Sequence, residues 1–461
     1  MNHNPVPDTR PTRLRLGGRR AVALVASAGL AVSLAACTGG QQNTASNEPA
    51  STEIPTDPVE LSLWTVQIGP AQEALQNLID EYEELHPNVT INLEYTESAA
   101  FSDTFKLRMS EQDAPDLIEC SQGNYMGPLV EAGLIISLEP YDELYGWSDR
   151  IAEGFLGPSR MSDDGRSLGA GQLYGLPFAG QLTGLYYNRE KVEELGIDTD
   201  FETIDEFTAA LDTAKEAGET GLMFGNLDGD PGKNVWEQVL SGYEDKQIQR
   251  EFVQGKEGTD LVTDKAIESV EQYQDWGNQG YFYDGVEGTS RADGYALFTG
   301  GEGVFALDGN YVHGTYSEAM GDNLGFTLFP RENAADDPQA NGATEKPYCI
   351  SSMSENPDVA ANFLDFIAQE DKAQVLWDGG FVPLLGADSV VSDLPADEEL
   401  LAAWQTLSDV DGMTYHLGWA TPSFQSIEMP NLQEVLANRM EPEAFVESLQ
   451  QNWEEFYGAA R

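Results

Sequence analysis

The sequence predicts an α/β protein of two lobes, each a mainly parallel sheet flanked by helices. Two observations carry this expectation. Between Val59 and Cys120 apolar residues recur at alternate positions, then at three and four, then at alternate positions again, the signature of strand, helix, strand, helix, strand. After Gly175-Leu176-Pro177 the series restarts, so a second lobe follows the first. A chain of 461 residues holds two such units. Its 41% hydrophobic and 10% aromatic content excludes a largely disordered protein, and no internal repeat relates the halves.

In chain order, residues 1–36 read as an export signal: Arg10, Arg13, Arg15, Arg19 and Arg20 precede an apolar run from Ala21 to Ala36. The run is too short to span a bilayer comfortably, which takes about 20 residues. Leu34-Ala35-Ala36-Cys37 places small residues before the bond to be cleaved and a thiol after it, a spacing that resembles the lipobox of bacterial lipoproteins. Lipid on Cys37 is therefore the expected membrane attachment. Residues 37–57, rich in Gly, Gln, Asn, Ser, Thr and Pro, read as a flexible tether.

Val59 to Trp64 is the first strand expected, and Ala71, Ala74, Leu75, Leu78, Ile79, Tyr82 and Leu85 form one helical face that Pro87 ends. Strands follow at Val89 to Tyr95 and Asp116 to Cys120, with a helix from Phe101 to Ser110 between them. In the second lobe Leu185-Tyr186-Tyr187 is a strand, and Thr203 with Glu206 makes a capping box. Helices are expected at Trp236 to Leu240, Asp264 to Trp276 and Asp293 to Phe298, and strands at Val304 to Leu307 and Gly325 to Phe329. Arg331 to Thr344 reads as a loop, Tyr348 to Ile350 as a strand, and Pro357 to Trp377 as a helix broken near Glu370-Asp371. Leu394 to Tyr457 is mostly helical, interrupted by an aromatic loop from Tyr415 to Phe424.

Charge narrows the partners. The whole chain carries a formal charge of −55; removing five leader arginines from 24 basic residues and Asp8 from 79 acidic ones leaves −59. Such a surface repels nucleic acid and anionic headgroups, which need clustered Lys and Arg. Besides Cys37 there are two cysteines, Cys120 and Cys349, which make neither a CxxC motif nor a four-ligand zinc site. Export permits a bridge between them, and two separate buried thiols is the alternative.

At this point the residues resemble a known group, the extracellular solute-binding proteins of bacterial ABC importers, in the large sugar-binding family that includes maltose-binding protein. The resemblance rests on the opening strand ending in Trp64, Tyr82 to Pro87 with Val89, Ala114-Pro115-Asp116, Tyr174 to Pro177, and Gly184 to Asn188. It continues through Thr203 to Phe207, Phe298 to Tyr311, Ala360 to Phe366 and Gly379 to Pro383. Tyr311 stands where many members have Trp, and Ile204 replaces a frequent Trp. The resemblance implies a type II periplasmic-binding-protein-like fold with a ligand cleft between the lobes. Lobe one is then 58–178 and 346–385, and lobe two is 179–345 and 386–461 with the C-terminal helices. It further implies a monomer that hinges shut on a neutral oligosaccharide and hands it to transmembrane permease subunits.

A neutral sugar offers C–H faces to aromatic rings and hydroxyls to amides and carboxylates. Trp64 ends the first strand, Gln67 lies in the next loop, and Ser121 and Gln122 follow the third strand, at the edge where α/β sheets bind ligands. Gln181 lies just past the crossing between lobes, and Trp236, Asp308, Asn310 and Tyr311 are the second-lobe candidates, joined by Phe381 and Trp419. Three of these have a plain alternative: core packing for Trp64, loop capping for Ser121 with Gln122, and an ordinary turn for Asp308-Gly309-Asn310. Asn226, Asp228, Asp230 and Glu237 have calcium-loop spacing, but Pro231 occupies the position that needs glycine, so no metal is expected. No cofactor is expected either. His86, His313 and His416 are scattered, no GxSxG elbow occurs, and carboxylate pairs are inevitable among 79 acids, so no catalytic residue is assigned. An exported glycosidase is the alternative reading, with an adhesion or sensory lipoprotein behind it.

Overall fold

The protein is described from a computed structural model, which covers residues 49–67, 69–96, 104–120, 126–345 and 347–458. The signal segment, Cys37, Ser121 and Gln122 lie outside the described residues. The fold has two lobes, each built on one sheet. The first sheet has the order β2-β1-β3-β11-β6, where β1 is Val59–Thr65, β2 Val89–Tyr95, β3 Leu117–Glu119, β6 Gly175–Leu176 and β11 Tyr348–Ile350. β1 pairs parallel with β2 and β3, while β11 runs antiparallel to both its neighbours.

The expected helix after β1 spans Pro70–Leu85. Pro70 suits its first turn, where the missing N–H has no partner to lose. Ala74, Leu75, Leu78, Ile79 and Tyr82 are buried on one face. Fully burying each large side chain contributes roughly 1.5–3 kcal/mol relative to exposure. The Tyr82 hydroxyl donates to Asn362 at 2.8 Å, and its ring meets Phe363 edge-on, which brings the returning helix Pro357–Ile367 onto the first lobe.

The second sheet is organised along one long strand, β7 (Ala179–Asn188). Its first half pairs with β10 (Ala340–Thr344) and β12 (Val382–Pro383), and its second half with β8 (Phe305–Gly309) and β9 (Leu324–Thr327). All four of those pairings are antiparallel, and only β10 with β13 (Met413–Tyr415) is parallel. Pairing direction is therefore more mixed than the expected mainly parallel sheets. Where the chain leaves one sheet and returns to it, neighbouring strands run in opposite senses. The backbone passes between the sheets from β6 to β7, from β10 to β11 and from β11 to β12.

The capping box forms as expected, Glu206 N–H donating to Thr203 Oγ1 at 3.3 Å and Thr203 N–H to the Glu206 carboxylate at 3.3 Å. The long helix does break into Pro357–Ile367, a short turn at Glu370–Lys372, and Ala373–Asp378. Two expectations are corrected. The segment read as a loop up to Thr344 ends in the buried strand β10, whose Ala-Asn-Gly-Ala-Thr sequence lacks the bulky residues that mark strands. Small residues are required there: Gly342 has φ 148°, and a Cβ would collide with the Gln181 carbonyl of β7. Residues 49–57, read as the end of the tether, lie on the body instead. Ala50 and Ile54 pack against the core, Ser51 N–H donates to Asp358 at 3.2 Å, and the Asn88 amide donates to the Pro55 carbonyl at 2.7 Å.

A disulfide joins Cys120 to Cys349, with Cα atoms 6.1 Å apart and a sequence separation of 229. Cys120 follows β3 and Cys349 sits within β11, so the bridge pins the returning chain to the strand it left beside.

Candidate functional site

In the first lobe the loop after β1 is shaped by a carboxyl group that sequence reasoning missed. Glu119, the last residue of β3, is buried and accepts from Thr65 Oγ1, from Val66 N–H at 3.2 Å and from Gln67 Nε2 at 3.2 Å. Glu119 thus holds Gln67 at the carboxyl end of the strand, where the sequence placed it. A lone acid at a strand end carries no pattern that would announce this. Tyr95, ending β2, is another aromatic residue left exposed at this edge.

Trp64 is corrected from a ligand platform to a packed residue. It is 4% exposed, and its indole N–H donates to Thr96 Oγ1 at 2.8 Å. Trp236 is corrected in the same way: it is 0% exposed inside helix Asp230–Tyr243, donates to Ser269 Oγ at 3.2 Å and meets Phe445 edge-on. In both cases the largest apolar ring has gone to the core, where its burial is worth most.

At the crossing, Phe178 stacks on Tyr348 with centroids 5.4 Å apart and meets Phe381 edge-on at 5.4 Å. Phe381 is therefore buried hinge packing rather than an open ring face. Gln181 stands half-buried in β7, its backbone paired with Ala343.

The second-lobe wall is the end of β8. Register pairs Gly184 with Asp308 and Thr183 with Gly309, which sets Asp308 to Tyr311 over the first half of β7. Asn310 is corrected to a structural staple: its Oδ1 accepts from Leu182 N–H at 2.9 Å and its amide donates to the Gly180 carbonyl at 3.2 Å, both on β7. Beside it Tyr311 is 40% exposed, with its hydroxyl accepting from Asn234 at 3.0 Å. The Asp308 carboxyl is buried and accepts from Gly309 N–H at 2.9 Å. Burial pushes its pKa up to about 6, although hydrogen bonds from Tyr311, Gly309 and Tyr295 and the charge of Arg291 pull the other way. Asp230 closes the cluster, paired with Lys233 at 2.9 Å and with Arg291. The wall thus presents one exposed ring backed by amide, carboxyl and guanidinium groups.

The calcium-like spacing is used otherwise. Asn226 accepts from Gly232 N–H at 2.8 Å and donates to Glu287 at 2.6 Å, while Glu237 faces the core. No three His, Cys, Asp or Glu side chains gather in metal-binding array among the described residues.

Glu237 instead fixes the loop that bears Trp419. One oxygen lies 2.8 Å from His416 Nδ1, and the other accepts from Leu417 N–H at 3.0 Å. Burial opposes its charge, but Lys233 and the His416 hydrogen bond prevail and hold Glu237 below the usual carboxylate range. Glu428, buried alongside, is pushed well up by burial and by the Glu237 charge. Trp419 is half-buried, its ring edge-on to His416 at 5.2 Å.

The site therefore sits on two sheet edges joined by backbone crossings. Over residues 68–374 the sequence matches the family described as bacterial extracellular solute-binding protein. The chain belongs to that family. A galactooligosaccharide-binding protein of Bacillus subtilis is 24% identical over 362 residues, covering 76% of this chain and 77% of that one. An ABC transporter extracellular-binding protein of Pyrococcus horikoshii is 22% identical over 382 residues, covering 81% and 80%. Among solved structures, a chitin oligosaccharide binding protein superposes with a TM-score of 0.70 at 22% identity, covering 87% of this chain and all of that one.

Proposed function

We propose that this protein is a lipid-anchored extracellular receptor of an ABC importer that captures a neutral oligosaccharide by hinge closure and delivers it to transmembrane permease subunits. The observation that carries the reading is the pairing of Tyr311, an exposed ring, with the Asn234 amide and the buried Asp308 carboxyl beside the strands that cross between lobes. An aromatic face suits the C–H patch of a sugar ring and the polar groups suit its hydroxyls. The names of the relatives from Bacillus subtilis and Pyrococcus horikoshii support a sugar ligand and an ABC partner. The lobe boundaries at 178, 345 and 385 and the lipid on Cys37 belong to this reading.

The topology supports hinge closure: the chain passes between the two sheets at β6 to β7, β10 to β11 and β11 to β12, links about which one lobe can rotate on the other while each keeps its own hydrogen bonds. Titration calorimetry against neutral oligosaccharides tests capture, with binding and no release of reducing ends expected. Steady hydrolysis would favour the glycosidase instead. Mass spectrometry of membrane-extracted protein should find a diacylglyceryl mass on a chain beginning at Cys37.

A further inference from the structure

The lobes touch at His313, a side chain that can change its charge. His313 begins the helix His313–Met320, which follows β8 of the second sheet. Its ring centroid lies 5.7 Å from that of Trp377. Trp377 stands on the helix Ala373–Asp378, which packs on helix Pro70–Leu85 beside the first sheet. The two lobes also touch where Arg166, on the hairpin between β4 (Arg160–Met161) and β5 (Gln172–Leu173), donates to the Phe456 carbonyl at 3.0 Å. A guanidinium keeps its charge at every physiological pH, whereas imidazole is the side chain whose ordinary titration falls between pH 5 and 8.

The surroundings of His313 tie its charge to Trp377. The residue is 8% exposed, and its Nε2 lies 2.6 Å from Asp397 Oδ1. A carboxylate accepts, so Nε2 carries the single proton of the neutral ring. Nδ1 is buried and has no hydrogen-bond partner among the described residues. A proton arriving at Nδ1 therefore finds no acceptor, and the new charge is met by Asp397 and by the Trp377 ring, which is within the roughly 6 Å at which an indole attracts a cation. Without that ring the charged imidazole keeps one partner instead of two.

The other groups around the ring hold their charge states. Burial opposes ionisation of Asp397, but hydrogen bonds from His313, Ser392 and Ser317 keep it below the usual carboxylate range. Tyr186 of β7, with its ring 5.9 Å from His313, is pushed well up by burial and by the charges of Asp308 and Asp397, so it stays neutral. Asp378 is engaged by Gln374 at 2.9 Å, Lys372 by Glu81 at 2.6 Å and Glu399 by Arg189 at 2.6 Å.

We propose that His313 is a proton-operated latch between the lobes: charged, it holds Trp377 and favours the arrangement in which the two helices meet, and neutral, it relaxes that hold. The inference rests on the hinge of the proposed function and not on the identity of its guest. A cation over an indole favours the latched arrangement about two- to fivefold. By reciprocity, the latched arrangement favours the proton by the same factor.

The test uses the full mature chain. Nuclear magnetic resonance of the imidazole rings between pH 5 and 8, with His86 and His416 for comparison, follows His313 directly. Trp377→Leu should lower the His313 midpoint by about 0.4–0.7 pH. Spin labels at Asn77→Cys, on helix Pro70–Leu85, and Glu216→Cys, on helix Ile204–Glu216, occupy exposed positions on the two lobes. Their distance distribution should change with the His313 midpoint and become independent of pH in His313→Gln, whose amide can still donate to Asp397. A His313 ring that does not titrate in this range, a midpoint that Trp377→Leu leaves in place, or distances equally pH-dependent in His313→Gln would overturn the latch. Distances that respond to added galacto-oligosaccharide but not to pH would overturn the latch alone; distances that respond to neither would overturn hinge closure with it.

Discussion

The two walls solve the same problem with opposite uses of a buried carboxyl group. In the first lobe Glu119 accepts hydrogen bonds from Thr65 at the end of β1 and from Val66 and Gln67 after it, and so acts as a splint for Gln67. In the second, Asp308 is pushed by burial toward its neutral form and sits beside Tyr311, the exposed ring of the candidate wall. The first lobe also carries a covalent clip between β3 and β11, whereas the second relies on the hydrogen-bonded strands around β7. Rigidity thus comes from a cross-link and a splint on one side, and from a dense polar network on the other.

The sharpest way to break the contrast is to remove the clip. Cys120→Ser with Cys349→Ser should cost about 2–5 kcal/mol of stability, because so long a closed loop restricts the unfolded chain strongly. In calorimetry the first lobe should then melt first; an unchanged melting profile would show that β3 and β11 need no cross-link.

The next largest effect concerns Asp308. Its folded pKa of about 6 lies above the ordinary 3.8, so the folded state holds the proton more tightly and loses stability as pH rises from about 4 to about 6. Asp308→Asn removes that dependence. Relative to the wild type the variant should gain up to about 3 kcal/mol between pH 3.5 and pH 7. Urea unfolding at a series of pH values measures this, and parallel curves would show that folding leaves the Asp308 pKa where it is in the unfolded chain.

Glu119→Ala should cost about 2 kcal/mol by removing the acceptor of the Val66 amide and of the Gln67 side chain. Faster hydrogen exchange should appear at Val66 and Gln67 and not at Gly309; exchange changing equally in both walls would erase the distinction between them. Smallest is Tyr311→Ala, for which about a tenfold loss of sugar affinity is expected, with Tyr311→Trp retaining or improving it. Loss of affinity in both would show that the hydroxyl on Asn234, and not the ring, is what matters.

Where burial follows period, the fold was legible. The helix Pro70–Leu85, the capping box at Thr203 and the break near Glu370 all announce themselves through spacing and side-chain chemistry. β10 did not, because the close approach of β7 demands the small residues that ordinarily mark loops. β13 was hidden for a related reason: three residues, Met413–Tyr415, are too few to show a period. The site was legible in its aromatic and polar composition but not in its directions. Trp64 and Trp236 occupy positions from which a ring can turn to solvent or to the core, and pattern alone does not say which way it turns. Glu119, Glu237 and Asn310 act on backbone atoms far away in sequence, so no local signal marks them.

The bridge between Cys120 and Cys349 has a mechanical consequence. If the molecule is held by its N-terminal end and pulled from its C-terminus, tension passes from Cys120 directly to Cys349 and skips the intervening loop of chain. β7, β8, β9 and β10 all lie inside that loop, so the crossings through β7 and β10 bear no load as long as the sulfur–sulfur bond holds.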